Sequence, residues 1–285
     1  HLTFQGMNRQ VTLRPHQSDA IWRGLRNGNT LLAHEVGTGK TYCLIAIAIE
    51  ARRLGLAHKP VITVPNHMLE QFQRDILHLY PGAKVLAGGR DELSATEREA
   101  FVARVAATDC DVVLMTHKGL ESVPIHPRFE RQLMEEELAT LAAEPGDSRE
   151  VLANKAVARG RLQKQLDKHD QRMAAGVPAV TFEQTGIDMI LVDEADVYKN
   201  LGLDSASRDL SKESSKRALA MYWKVRYINR RTPGRGVVFA TGTPISNSLL
   251  EIYTMQRYLQ YDRLRELGIS GVDAWIAQFG ERVRA

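Results

Sequence analysis

Thr30-Leu31-Leu32-Ala33-His34-Glu35-Val36-Gly37-Thr38-Gly39-Lys40-Thr41 is the stretch on which the fold turns. A short apolar run leads into a glycine-bearing loop that ends in Lys-Thr, and a helical pattern follows over Lys40–Leu54. Strand, loop and helix opening in that order are the setting in which such a string becomes a phosphate loop. Gly37, Thr38 and Gly39 form the turn itself, the two glycines letting backbone N–H groups face phosphate oxygens while the helix start adds its positive dipole end. Lys40 is then predicted to reach the β/γ phosphates of ATP or ADP, and the Thr41 hydroxyl to ligate Mg²⁺. The strict pattern has glycine where His34 stands, so this is a variant of it.

Working outward, β-rich runs alternate with helical patterns, which predicts an α/β fold on a mostly parallel sheet. The strands are read at Thr30–Ala33, Val61–Val64, Lys84–Leu86, Asp111–Met115, Asp188–Val192 and Gly236–Ala240, several near-continuously apolar as strands covered on both faces should be. The helices are read at Lys40–Leu54, His67–Leu79, Ala95–Ala107, Ser214–Ile228 and Asn247–Leu259. The 285 residues carry 38 Lys+Arg against 34 Asp+Glu and are 44% hydrophobic, which excludes collagen-like, disordered and disulfide-scaffold classes. Their apolar runs are strand-length, far short of the ~20 residues of a membrane span. Cys43 and Cys110 form no CxxC pair, so neither a zinc knuckle nor a disulfide framework is expected, and a reducing, cytoplasmic setting fits. His1–Gly6 resembles the tail of a cleavable expression tag and is set apart from a single lobe over residues 7–285.

Two further strand ends carry chemistry. Met189–Val192 runs into Asp193-Glu194-Ala195-Asp196, and strand ends are where open α/β sheets place ligands. Asp193 is placed to hold Mg²⁺, and Glu194 to orient and deprotonate the water attacking the γ-phosphate. After the next apolar strand comes Thr241-Gly242-Thr243-Pro244-Ile245-Ser246-Asn247. Together these motifs resemble the first, RecA-like motor lobe of superfamily 2 helicases and translocases, most closely the Swi/Snf-type branch. The run Thr243–Gln260 is similar to helicase regions of large phage- or plasmid-borne proteins that also carry adenine methylases, implying a bacterial or phage origin. The resemblance implies a P-loop three-layer sandwich with ATP or ADP and Mg²⁺ as cofactors. In Leu13-Arg14-Pro15-His16-Gln17 it makes Arg14 and Gln17 nucleotide-binding, with Gln17 against the adenine. It makes Pro65 and Asn66 one DNA-strand motif and His117 and Lys118 a second, and it makes Thr241, Gly242 and Thr243 the coupling motif. Asp196 departs from the histidine usual in the Swi/Snf-type branch. True DEAD-box RNA helicases carry Ser-Ala-Thr where this chain has Thr241-Gly242-Thr243.

The segment Phe129–Ala175 has no strand signal and is divided by Pro145-Gly146-Asp147, which predicts a projecting helical hairpin. Its first arm is acidic and its second basic, so the arms should attract each other. An own apolar seam of Leu133, Leu138, Leu141, Leu152, Leu162 and Leu166 should make the hairpin dispensable for the nucleotide site. Arg208–Arg235 gathers nine basic against two acidic residues with Tyr222, Trp223 and Tyr227 interleaved, a pattern suited to sequence-independent phosphate contact through Arg230 and Arg231. The resemblance further implies a partner lobe supplying arginines, and other parent domains, that are not seen after Leu259. Little hydrolysis is then expected of this chain alone, since an arginine finger contributes about 10³–10⁵ in kcat. The competing reading is a regulatory nucleotide-binding module that recruits a protein through the hairpin and never moves on DNA.

Overall fold

A computed structural model describes residues 4–88, 97–143, 149–176, 180–203, 214–246 and 248–280. Six strands, β1 (Thr30–Ala33), β2 (Pro60–Val64), β3 (Val85–Gly88), β4 (Val112–Thr116), β5 (Met189–Val192) and β6 (Val237–Thr241), form one sheet in the order β1-β6-β5-β2-β4-β3. Every pairing is parallel. The crossovers are helical: α1 (Pro15–Arg26) precedes β1, then come α2 (Lys40–Arg53), α3 (Leu69–Leu79), α4 (Arg98–Ala107), α5 (His117–Ser122), α6 (Pro127–Ala143), α7 (Arg149–Ala175) and α8 (Lys216–Arg231). After β6 follow α9 (Leu250–Leu259), α10 (Tyr261–Glu266) and α11 (Val272–Phe279).

The strands are apolar at nearly every position because both faces are covered and side chains alternate between them. Val61, Val113, Ile190, Val237 and Phe239 point to the layer of α4, α5, α6, α8 and α9. Their neighbours Ile62, Leu114, Leu191, Val238 and Ala240 point to that of α1, α2 and α3. Helix α2 is buried on almost all sides from Lys40 to Ala51 and so shows no polar stripe. The predicted three-layer α/β sandwich is what forms. Phe4 and Met7 lie against the α1–α3 core, so part of the stretch set apart as a tag packs on the lobe; residues 1–3 lie outside the described residues, as do Pro145-Gly146-Asp147 and the first two residues of the predicted 95–107 helix.

The predicted hairpin is present as α6 and α7, but its independence is corrected. Leu133 and Leu166 are buried in the main core alongside Tyr222 and Tyr258, while Leu152 is 55% exposed and belongs to no seam. The arms do attract each other, through Arg131–Asp170 at 2.6 Å and Arg172–Glu130 at 3.1 Å. The acids in the middle of α6 instead face α8 and α9: Glu136 pairs with Arg226 and Arg230, and Glu137 with Arg226 and Arg257, while Glu137 also accepts from Tyr222 Oη at 2.6 Å.

Candidate functional site

Parallel register assembles the motifs. Ala33 pairs with Thr241, Thr63 with Val192, and Val64 with Thr116, so the residues after β1, β2, β4, β5 and β6 all emerge along the carboxyl edge of the sheet. The phosphate loop after β1 is built by backbone conformation: Gly37 has φ 81 and Gly39 φ 85, left-handed values that glycine adopts without a Cβ penalty. Gly39 is the N-cap of α2, so the free N–H groups of that helix open into the loop. Around Gly37 there is open space, whereas a Cβ on Gly39 would lie 2.1 Å from Gln17 Nε2. That contact comes from α1, where Pro15 stands at N1 and Arg14 N donates to Gln17 Oε1 at 2.8 Å. The buried Gln17 amide then donates to the carbonyls of Thr38 and Gly39, each at 3.3 Å, and His16 Nε2 lies 3.0 Å from Thr38 O. Gln17 and His16 thus reach the loop from α1, with Arg14 holding the Gln17 amide in place.

Lys40 is 7% exposed. Its ammonium donates to His34 O at 3.0 Å and Glu35 O at 3.1 Å, inside the turn where phosphate oxygens would compete for it. Thr41 follows on the first turn of α2. Across the edge, Asp193 is 5% exposed, and its amide is tied to Thr63 O at 2.9 Å. Burial, and then the neighbouring Glu194, push its carboxyl up to about 6, with Lys40 pulling the other way. Glu194 is the sole non-glycine with positive φ among the described residues, at φ 47. Strain of that kind persists where the surroundings over-determine it and gathers at functional sites. Gly242 closes the cluster: a Cβ there would stand 2.9 Å from Val36 Cγ2 and 3.6 Å from Lys40 Nζ. Thr241 Oγ1 donates to Asp196 Oδ1 at 3.3 Å and accepts from Thr243 N at 3.0 Å. Lys40, Asp193, Glu194 and Thr241–Thr243 are therefore brought together. Asn247 lies outside the described residues.

The donor set suits a nucleotide with a small hard cation. An acid held near 6 by burial and a like charge gains from a nearby cation, and Mg²⁺ is commonly held by one or two protein oxygens plus phosphates. Among the described residues no group of three or more His, Cys, Asp or Glu could hold a metal without such help.

The DNA-strand residues divide. Asn66 and Lys118 are exposed and Pro65 half-buried, side by side after paired strands. His117 is instead buried beside Tyr198, burial drives its ring down to about 4, and its Nε2 has no partner. The basic cluster divides in the same way, with Arg231 exposed and most of its other described members paired within the lobe. Arg230 pairs with Glu136 and lies over the Phe129 ring at 4.7 Å, and Arg226 is buried over Tyr261 at 3.5 Å. Arg217 pairs with Glu121 at 2.8 Å. Arg231 donates to Tyr227 Oη at 2.8 Å. Tyr222 and Trp223 are core residues. Arg208 and Lys212 lie outside the described residues. Sequence reasoning also missed the pairing of Lys199 with Glu251 at 3.0 Å, where the Lys199 ammonium also meets Thr243 and Ser246; the two lie 52 positions apart and no local pattern marks them.

The family model of a probable helicase domain matches residues 22–284, and the chain belongs to that family. It is 22% identical over a 331-residue alignment to Defense against restriction protein B of Escherichia phage P1, covering 98% of this chain and 14% of that protein. The Sulfolobus solfataricus SWI2/SNF2 ATPase core in complex with dsDNA aligns at a TM-score of 0.53 and 15% identity, over 98% of this chain and 41% of that one. The Sulfolobus solfataricus SWI2/SNF2 ATPase core domain aligns at 0.46 and 15%, over 91% and 36%. The chain thus spans a small part of each relative. The chain is thus a member of the helicase-domain family, and its fold is similar to that of the dsDNA-bound Sulfolobus core. No helix among the described residues is long and apolar enough to cross a membrane.

Proposed function

We propose that this chain is the ATP-binding lobe of an ATP-dependent DNA helicase or translocase. The observation that carries the reading is the convergence of three strand ends, with Gly242 packed on the phosphate loop and Asp193 within electrostatic reach of Lys40. Lys40 and the loop amides would hold the phosphates, Thr41 and Asp193 the Mg²⁺, and Arg14 and Gln17 the adenine side. Bound Mg²⁺ would neutralise charge developing on the phosphates. Glu194 orients the attacking water and takes its proton. Strained backbone holds its carboxylate at the strand end, and the Asp196–Thr241 bond ties that turn to the loop after β6.

Turnover on this reading depends on a second motor lobe whose arginines complete the site, so the chain by itself binds nucleotide and hydrolyses little. DNA of any sequence is engaged through its phosphates along the edge that carries Pro65, Asn66 and Lys118; the dsDNA-bound Sulfolobus core of similar fold supports this without assigning it here. Titration with a fluorescent ADP analogue and Mg²⁺ tests the nucleotide site: Lys40→Ala is expected to weaken binding severalfold or more. Equal affinity in the two proteins refutes the assignment.

A further inference from the structure

Two bridges join the turn after β5 to the segment after β6. One is the Thr241–Asp196 hydrogen bond. The other is built on Lys199, which ends the Ala195–Tyr198 3₁₀ turn as its C-cap. Its ammonium donates to the Thr243 carbonyl, to Ser246 Oγ at 3.2 Å and to Glu251 Oε2 at 3.0 Å. An ammonium has three donors, and here all three are used. Glu251 in turn accepts from Ser246 N at 2.7 Å and from Ser246 Oγ at 3.3 Å. The pair is well inside the protein, with side chains 7% and 13% exposed.

Each end of this network starts at the candidate nucleotide site. The 3₁₀ turn that carries Lys199 is capped by Glu194, the residue in left-handed conformation, immediately after Asp193. The tethered segment begins at Gly242, which leaves no room for a side chain against Val36 of the phosphate loop. It ends in the first turn of α9, where the Glu251 carboxylate also meets the positive end of the helix. Between these anchors Ile245 and Leu249 stand exposed, at 44% and 67%. Asp193, Glu194 and the phosphate loop are thus connected to them through the Ala195–Tyr198 turn, the Lys199–Glu251 ion pair and the Gly242–Val36 approach.

We propose that Lys199, with Glu251, is the positioning residue that passes the occupancy of the nucleotide site to the 243–251 segment and its exposed apolar residues. This rests on the reading of Lys40 and Asp193 as a nucleotide site. Lys199 itself touches no reacting group. Its removal should therefore leave nucleotide affinity unchanged and abolish the response of the segment.

Amide hydrogen exchange on the whole chain, with and without ADP and Mg²⁺, reads this out beside a fluorescent-ADP titration of the same samples. In the wild type, ADP is expected to slow exchange of peptides over 243–251 severalfold. In Lys199→Met and in the double variant Lys199→Met/Glu251→Gln, ADP should bind with wild-type affinity while exchange over 243–251 no longer depends on it. The double variant is included because the single one strands a buried carboxylate and can unfold for that reason alone, whereas removing both charges does not. A double variant that binds ADP normally and keeps nucleotide-dependent slowing overturns the relay. So does a wild type that binds ADP with no slowing. A wild type that fails to bind ADP shows in the titration itself and overturns the underlying nucleotide-site reading together with the relay.

Discussion

Replacing Asp193 with asparagine should stabilise the nucleotide-free protein while disabling it. The carboxyl is 5% exposed and sits beside Glu194, so burial and repulsion raise it from 3.8 in the unfolded chain to about 6 in the folded one. A raised folded value means that the native state holds its proton more tightly, so this group favours folding at low pH and loses that contribution as pH rises through about 6. At 1.36 kcal/mol per unit, the whole difference is about 3 kcal/mol, of which about 2 kcal/mol is lost between pH 4.5 and pH 8. Asparagine carries no charge to bury and keeps an oxygen for the Glu194 amide that Asp193 faces. Urea denaturation of both proteins at pH 4.5 and pH 8, without nucleotide or Mg²⁺, measures the double difference. Asp193→Asn should gain about 2 kcal/mol more, relative to wild type, at pH 8 than at pH 4.5. In the same variant Mg²⁺ should no longer strengthen ADP binding. Parallel stability profiles for the two proteins would refute the claim that Asp193 is held under electrostatic stress.

Gly39→Ala places a methyl 2.1 Å from the Gln17 amide at φ 85, so it should cost about 1–3 kcal/mol and lower the melting temperature by several degrees; an unchanged melt would refute the α1–loop packing. Arg230→Ala leaves Glu136 with Arg226 alone and uncovers Phe129, and should destabilise by about 0.5–2 kcal/mol without altering the salt dependence of DNA binding. Lys118→Ala should do the reverse, flattening the logarithmic salt slope by about 0.9 if it meets one phosphate. Leu133→Ala, at 1% exposure, should cost about 2–5 kcal/mol in denaturation, against under about 0.5 kcal/mol for the exposed Leu152→Ala. Equal effects would restore the hairpin as an independent arm.

The six strands were legible because a sheet covered on both faces needs apolar side chains at every position, and such runs stand out whatever the fold around them. The site residues on strand ends were legible for a related reason: with all pairings parallel, every loop that follows a strand opens on one edge. Helix α1 was not, because Pro15-His16-Gln17-Ser18-Asp19 opens with a proline and polar residues, and its role as a helix start depends on the Gln17 side chain accepting from Arg14 N. Nor does any pattern announce that Glu194 sits at positive φ; that follows from the turn the tertiary contacts impose.

Charge was the least legible property, and the reason is distance along the chain. Arg226 and Arg230 fall in a basic cluster that reads as phosphate-facing until Glu136 and Glu137 arrive from far earlier in the chain, as the 94-residue separation of Arg230 from Glu136 illustrates. The acidity of α6 was read as seeking the basic second arm, but burial turns Glu136 and Glu137 to α8 and α9 instead. Arg226 and Arg257 stand beside core aromatics where an unpaired guanidinium would be costly, whereas the α7 cations Lys164 and Lys168 are exposed and need none. Glu136 and Glu137 therefore turn inward, and in doing so they fasten α6 to α8 and α9. This is why an insertion with the composition of a solvated arm is part of the lobe, and why Lys118, Asn66 and the edge they share are a better place than Arg230 to look for contact with a phosphate backbone.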